Sequence, residues 1–242
     1  MFRLFRKIRQ QLLGTGSVKR YLLYALGEVI LIVVGVMIAV ELNNMNTYRV
    51  NRFHEQRILN RLDAELNNAT KRISGFEQLL EKKLSELEAI VPYLQGEEIE
   101  DPKRFLESVI QAARFGFEQP VLQQTTFREI LSSGQLSLIL DIELRLQLTQ
   151  FYHTVVQREE RSTARSSDFP KIAYRLIPRE EEISLKEGLS DAEIDQIVES
   201  VLNSQLRNFV IPEQNRAKFM LSIWNNMKKE SSQISDRIQA QL

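Results

Sequence analysis

The sequence predicts an all-α protein, with one N-terminal transmembrane helix that continues into a long helix and packs in an extracytoplasmic helical bundle. Three observations predict it. Residues 21–42, YLLYALGEVILIVVGVMIAVEL, form an apolar run long enough to cross a bilayer. From Leu59 to Leu94 apolar residues recur at alternating steps of three and four, the spacing of one helical face. No convincing period-two alternation of apolar and polar residues marks a half-buried strand.

The apolar run comes first. At about 1.5 Å per residue, its twenty-two residues cover about 33 Å against a hydrocarbon core of about 30 Å. The part after Glu28, Val29 to Val40, is too short to span alone, so the span includes an acid about 5 Å from its midpoint. A carboxyl at that depth costs about 2.5 to 3.5 kcal/mol on insertion scales and calls for a reason. Arg3, Arg6, Lys7, Arg9, Lys19 and Arg20 precede the span with no acid among them, whereas Arg49, Arg52 and Arg57 follow it, mixed with Glu41 and Glu55. That bias places the N-terminus in the cytoplasm and the residues after Leu42 outside it. A cleaved leader would be shorter and end in small residues rather than Glu-Leu-Asn-Asn.

Residues 1–20 read as a basic amphipathic cytoplasmic tail. Met1, Phe5, Ile8 and Leu12 share a face with Leu4 while the basic residues cover the rest, which suits either an interfacial helix on an anionic leaflet or a plain topogenic flank. Residues 43–242 form the helical extracytoplasmic domain. Of 32 basic and 32 acidic residues, six basic ones lie before the span and two acids within it, so this domain is about four charges negative. Such a surface argues against nucleic acid as a partner. The absence of cysteine excludes disulfides, thiolate metal sites and a cysteine nucleophile.

The seam Leu59, Leu62, Leu66, Ala69, Ile73, Phe76, Leu80, Lys83, Leu87, Ile90, Leu94 predicts a long helix over about 49–90, one lysine included, which Pro92 should end. It can pair with a second copy or with the C-terminal helix of the same chain; Leu79 and Leu84 broaden the stripe and favour the latter. Asp101-Pro102 opens a short helix to about Phe115. Leu122 to Ser133 reads as another, closed by Gly134. Asp141 caps a longer helix carrying Ile142, Leu146, Leu148, Tyr152, Val155 and Val156, and KIAYRLI lies between Pro170 and Pro178. Ser190-Asp-Ala-Glu193 is a capping box for a helix through Leu202. A last helix, about 213–240, starts at Pro212 or Glu213 and carries Phe219, Ile223, Met227, Ile234 and Ile238.

Two stretches together carry a resemblance. FRKIRQQLL followed by KRYLLYALGEVILIVVGVMIAVELNN, with its Tyr24-x-x-Gly27-Glu28 signature, resembles the opening of an uncharacterised family of bacterial single-pass membrane proteins, a domain of unknown function. TTFREILSSGQLSLILDIELRLQLTQFY resembles that family's internal motif: a Thr-aromatic helix, a Ser-Gly turn, and an Asp-capped helix with Leu-Arg. Members often carry Trp after the paired asparagines, where this chain has Met45. The resemblance implies membrane attachment and a helical outer domain; it implies no activity.

The residues offer little for catalysis. His54 and His153 are the entire imidazole supply and neither has a ligand-spaced partner on its own helix. There is no Gly-rich phosphate loop and no G-x-S-x-G, and the run Glu180-Glu181-Glu182 reads as a solvated loop. No enzyme activity, metal or cofactor is expected. What remains is Glu28, with Gly35 on its face, Tyr24 and Gly27 in the signature, and Ala39 completing a small-x-x-x-small pair with Gly35. The carboxyl can stay neutral in lipid or snorkel, face a helix of a second copy or another membrane protein, or carry protons. The expected function is therefore a membrane-anchored binding or scaffold protein of the bacterial inner membrane with a periplasmic domain. The alternative is an accessory subunit of an ion-coupled complex that uses Glu28 as its proton-binding group.

Overall fold

The computed structural model describes residues 18–114, 119–162, 167–180 and 184–242. The basic tail up to Ser17 and Glu181-Glu182 lie outside the described residues. Among the described residues the chain is all-α apart from one two-residue strand pair. In order come α1 (Val18–Leu94), α2 (Pro102–Arg114), α3 (Thr125–Ser132), a 3-10 turn (Gln135–Leu138), α4 (Ile142–Ser162) and α5 (Asp168–Leu176). Then follow β1 (Arg179–Glu180), β2 (Ser184–Leu185), α6 (Asp191–Leu202) and α7 (Arg207–Gln239). The strands pair antiparallel, Arg179 opposite Leu185. Two compact units divide the chain, Met1–Glu55 and Gln56–Leu242.

The first unit is described from Val18 to Glu55, all of it within α1. Its apolar stretch has a mean hydropathy of 2.4 over the best window, none of which is buried, and is long and apolar enough to cross a membrane. Leu22, Leu23, Leu26, Ile30, Leu31 and Met37 are among the exposed side chains.

The second unit is organised by the heptad seam. Every seam residue from Leu59 to Ile90 is buried, Lys83 included, whereas Leu79 is exposed. The seam's partner is α7. Ser231 donates its hydroxyl to the Leu66 carbonyl at 3.0 Å, the Phe76 and Trp224 rings meet edge to face at 5.9 Å, and Lys83 meets Glu213 at 2.6 Å. Positions that rise along α1 fall along α7, so the two helices are antiparallel. Helix α7 has its own three-four pattern of buried positions: Val210, Glu213, Ala217, Met220, Trp224, Met227, Ser231, Ile234 and Ile238.

Two separate cores form on this hairpin. One joins α1 from Ile58 to Leu84 with α3, α4 and α7 from Ala217 to Ile238. The other joins Leu87 and Ile90 with α2, α5, β2, α6, Leu206 just before α7, and α7 at Val210.

Several boundaries differ from expectation, each for a backbone reason. Helix α1 passes Pro92 and ends at Leu94; the proline lacks only one donor in the final turn. Gly96 then takes φ of 108°, a left-handed conformation that suits glycine, and the Glu97 N–H donates back to the Pro92 carbonyl. Helix α3 starts at Thr125 rather than Leu122. Helix α5, read as an unassigned stretch between prolines, begins on the Ser167 cap, whose hydroxyl accepts from the Phe169 N–H. Pro170 then sits in the first turn, where amide donors have no intrahelical partner. Helix α7 starts at Arg207, ahead of Pro212. The Asp101 cap, the Asp141 cap and the Ser190–Glu193 capping box form as expected.

Candidate functional site

The five residues singled out in the sequence all lie on α1 in the first unit. At about 100° per residue, Glu28, Gly35 and Ala39 fall within about 40° of one another around the helix, and the Tyr24 position lies close to them. Gly27 lies about a quarter-turn aside. Gly27, Glu28, Gly35 and Ala39 are all exposed. A Cβ added at Gly27 or Gly35 would meet no atom of the chain within 4 Å. The face carrying the acid and the small residues is therefore uncovered by anything else described in this chain. Close approach of another helix is sterically open along Gly35 and Ala39, because small residues let backbones come near.

The second unit contains polar clusters that sequence reading assigned no role. Lys83 Nζ contacts Glu213 Oε1 at 2.6 Å and donates to the Ala112 carbonyl at 2.8 Å. Both side chains of the pair are buried, at 0% and 3% exposure. Ser167 donates its hydroxyl to Glu213 Oε2 at 2.6 Å. Burial pushes the Lys83 ammonium below its ordinary range, and Glu213 opposes that shift. The one signal available was a lysine at a seam position.

Glu65 accepts from the Tyr152 hydroxyl at 2.6 Å and from the Thr126 N–H at 2.8 Å. It thus caps α3 from another helix, which explains why the Gln124 side chain makes no cap bond there. Tyr152 stacks on Phe127 at 4.4 Å, and burial with the Glu65 contact pushes its phenol well above the ordinary range. These contacts join the two parts of the internal motif, the Thr126-Phe127 helix and the Asp-capped helix.

Asp141 accepts from the Leu144 N–H, from Arg237 at two atoms and from Gln241, tying the start of α4 to the end of α7. The Arg237 guanidinium holds the Asp141 carboxyl below its ordinary 3.8, and the Leu144 N–H adds to this. A carboxyl whose folded value lies below its unfolded one stabilises the fold fully above about 3.8 and loses that contribution as pH falls through the folded value. Asp141→Asn, which keeps a capping side chain, is therefore expected to flatten the acid limb of a melting-temperature profile below about pH 4. Parallel limbs for wild type and variant would contradict this.

His54 and His153 are exposed, and His153 contacts only Gln157 among the hydrogen bonds described. Among the described residues no group of three or more His, Cys, Asp or Glu could hold a metal ion. A concavity between α2 and the strand pair is lined by Lys103, Glu107, Ser184, Lys186, Glu187 and Ile194. Its charges are mixed, and no histidine stands in the lining beside Ser184.

A family model described as a family of unknown function (DUF6090) matches residues 28–160, from Glu28 through most of α4. No curated protein and no solved structure matches the chain.

Proposed function

The chain belongs to this family of unknown function, and we propose that it is a membrane-anchored binding or scaffold protein of the bacterial cell envelope. Residues 21–42 cross the inner membrane with the N-terminus in the cytoplasm, and the helical unit stands in the periplasm. The anchor assembles through the Glu28, Gly35 and Ala39 face with a second copy or with another membrane protein. One observation carries this reading: that face is apolar around a single carboxyl, and no described part of the chain covers it. An uncovered acid at membrane depth gains from a helix partner that hydrogen-bonds it away from lipid. The charge bias around residues 21–42 supports the orientation.

Gly35→Leu tests the face. Apart from its own stretch of helix, no described residue lies within 4 Å of a Cβ built at Gly35, so added bulk leaves the monomer intact and acts only where another helix approaches. Gly35→Leu is expected to lower the assembled fraction in detergent at least several-fold by mass photometry, whereas Val34→Leu, about 100° around the helix, leaves it unchanged. Identical size distributions for wild type and both variants would refute the assigned face.

A further inference from the structure

The two cores of the helical unit meet at one buried ion pair, and the way the chain crosses between them gives that pair a conformational role. On α1 the boundary falls between Leu84, in the core shared with α3 and α4, and Leu87, in the core shared with α2, α5 and α6. On α7 it falls between Ala217 and Val210. Lys83 and Glu213 sit at that level on the two helices. The chain also crosses between the halves twice outside the hairpin, between α2 and α3 and again between α4 and α5.

Described residues flanking both crossings bond to the same pair. Lys83 donates to the carbonyl of Ala112, two residues before α2 ends, and Ser167, the cap that opens α5, donates to Glu213. Phe169, in the first turn of α5, places its ring 5.9 Å from the Lys83 ammonium. Four helices therefore converge on one ion pair where the apolar seam is interrupted. A buried ion pair holds helices in register but binds them less firmly than apolar packing of the same volume, because separated charges recover their hydration. It marks the line between the two cores.

We propose that the Lys83–Glu213 pair is the catch of a helical cap. The cap comprises α2, α5, the strand pair and α6, and it opens as one cooperative unit from the ends of α1 and α7 while α3, α4 and their core stay folded. Opening uncovers the apolar surface of Leu87, Ile90, Leu206 and Val210 on the hairpin and the facing side of α2. This inference concerns the second unit alone and does not rest on how the anchor assembles.

Hydrogen exchange of the full chain in detergent, read by mass spectrometry, tests the cap. In wild type the amides of α2, α5 and α6 should exchange together, at least 10-fold faster than the core amides of α3 and α4. Lys83→Met removes the ammonium that meets Glu213 and should speed cap exchange a further 10-fold or more with α3 and α4 unchanged. Lys83→Met with Glu213→Leu replaces the pair by apolar side chains and should bring cap exchange back to the wild-type rate or below it. Exchange of all helices at one common rate in wild type would overturn the proposal. So would cap exchange in the double variant at least 10-fold faster than in wild type, and both readings stand even if the single variant fails to fold.

Discussion

Trp224→Ala is expected to destabilise the helical unit by roughly 3 to 5 kcal/mol, the range for truncating a large buried aromatic side chain. Trp224 is 1% exposed and lies midway along the α7 seam against Phe76 of α1. The hairpin is the frame on which both cores are built, so a void at its centre removes contacts on α1 and α7 together. The fit there is edge to face, an arrangement that adds about 0.5 to 1.5 kcal/mol beyond area alone. Trp224→Phe keeps an aromatic ring against Phe76 and removes an indole N–H that has no hydrogen-bond partner among the described residues. It should therefore cost less, about 2 kcal/mol or under. Phe219→Ala is the control. Its side chain is 63% exposed, and its loss should change stability by less than about 1 kcal/mol. Urea unfolding of the full chain in detergent, followed by far-ultraviolet circular dichroism, measures all three. Equal losses for Trp224→Ala and Phe219→Ala would show that the seam has been assigned to the wrong face of α7.

That pair of residues also shows what the sequence could and could not convey. The α1 seam was legible because ten of its positions fall on a strict three-four alternation with apolar side chains at all but one. Helix α7 obeys the same alternation, but Glu213 and Ser231 occupy seam positions, and neither reads as apolar core. Starting the pattern at Phe219 therefore placed Phe219 and Ile223 one step out of register and passed over Met220 and Trp224, whereas Met227, Ile234 and Ile238 do lie on the seam. The polar seam residues make sense only once the opposite helix is known: Ser231 lets the backbones approach and bonds the Leu66 carbonyl, and Glu213 answers Lys83. Local signals fared better. The Asp101, Asp141 and Ser190 caps each act within three residues, so sequence alone contains both partners. Asp141 is the instructive case. Its cap was visible, but its bonds to Arg237 and Gln241 span about a hundred positions, and no periodicity encodes them. For the candidate site, the apolar run and its acid were evident, and the structure adds that no described part of the chain covers them.

Glu65→Ala is expected to cost roughly 3 to 5 kcal/mol, because one buried carboxylate satisfies two buried donors at once. Its loss leaves the Tyr152 hydroxyl and the Thr126 N–H without acceptors, at about 1 to 3 kcal/mol each, and removes the cap of α3. Tyr152→Phe removes only one of these bonds and keeps the ring stacked on Phe127, so it should cost about 1 to 2 kcal/mol. The two changes share a contact and should not be additive. With the hydroxyl already gone, Glu65→Ala strands one donor rather than two, and the double variant should fall short of the summed losses by about 1 to 3 kcal/mol. Glu65→Gln sharpens the test. An amide keeps an acceptor oxygen for the Thr126 N–H, but its nitrogen can meet the Tyr152 oxygen only as a donor, which leaves the phenol hydrogen without its acceptor, so the isosteric change should cost about as much as Tyr152→Phe despite losing no volume. Unfolding followed by the fluorescence of Trp224, the sole tryptophan, reads all four variants. If Glu65→Gln is neutral, the carboxylate does not accept both bonds, and the helix α3 cap must be supplied otherwise. If the cycle is additive, Glu65 and Tyr152 act independently, and the link between the two halves of the internal motif is packing between Phe127 and Tyr152 alone.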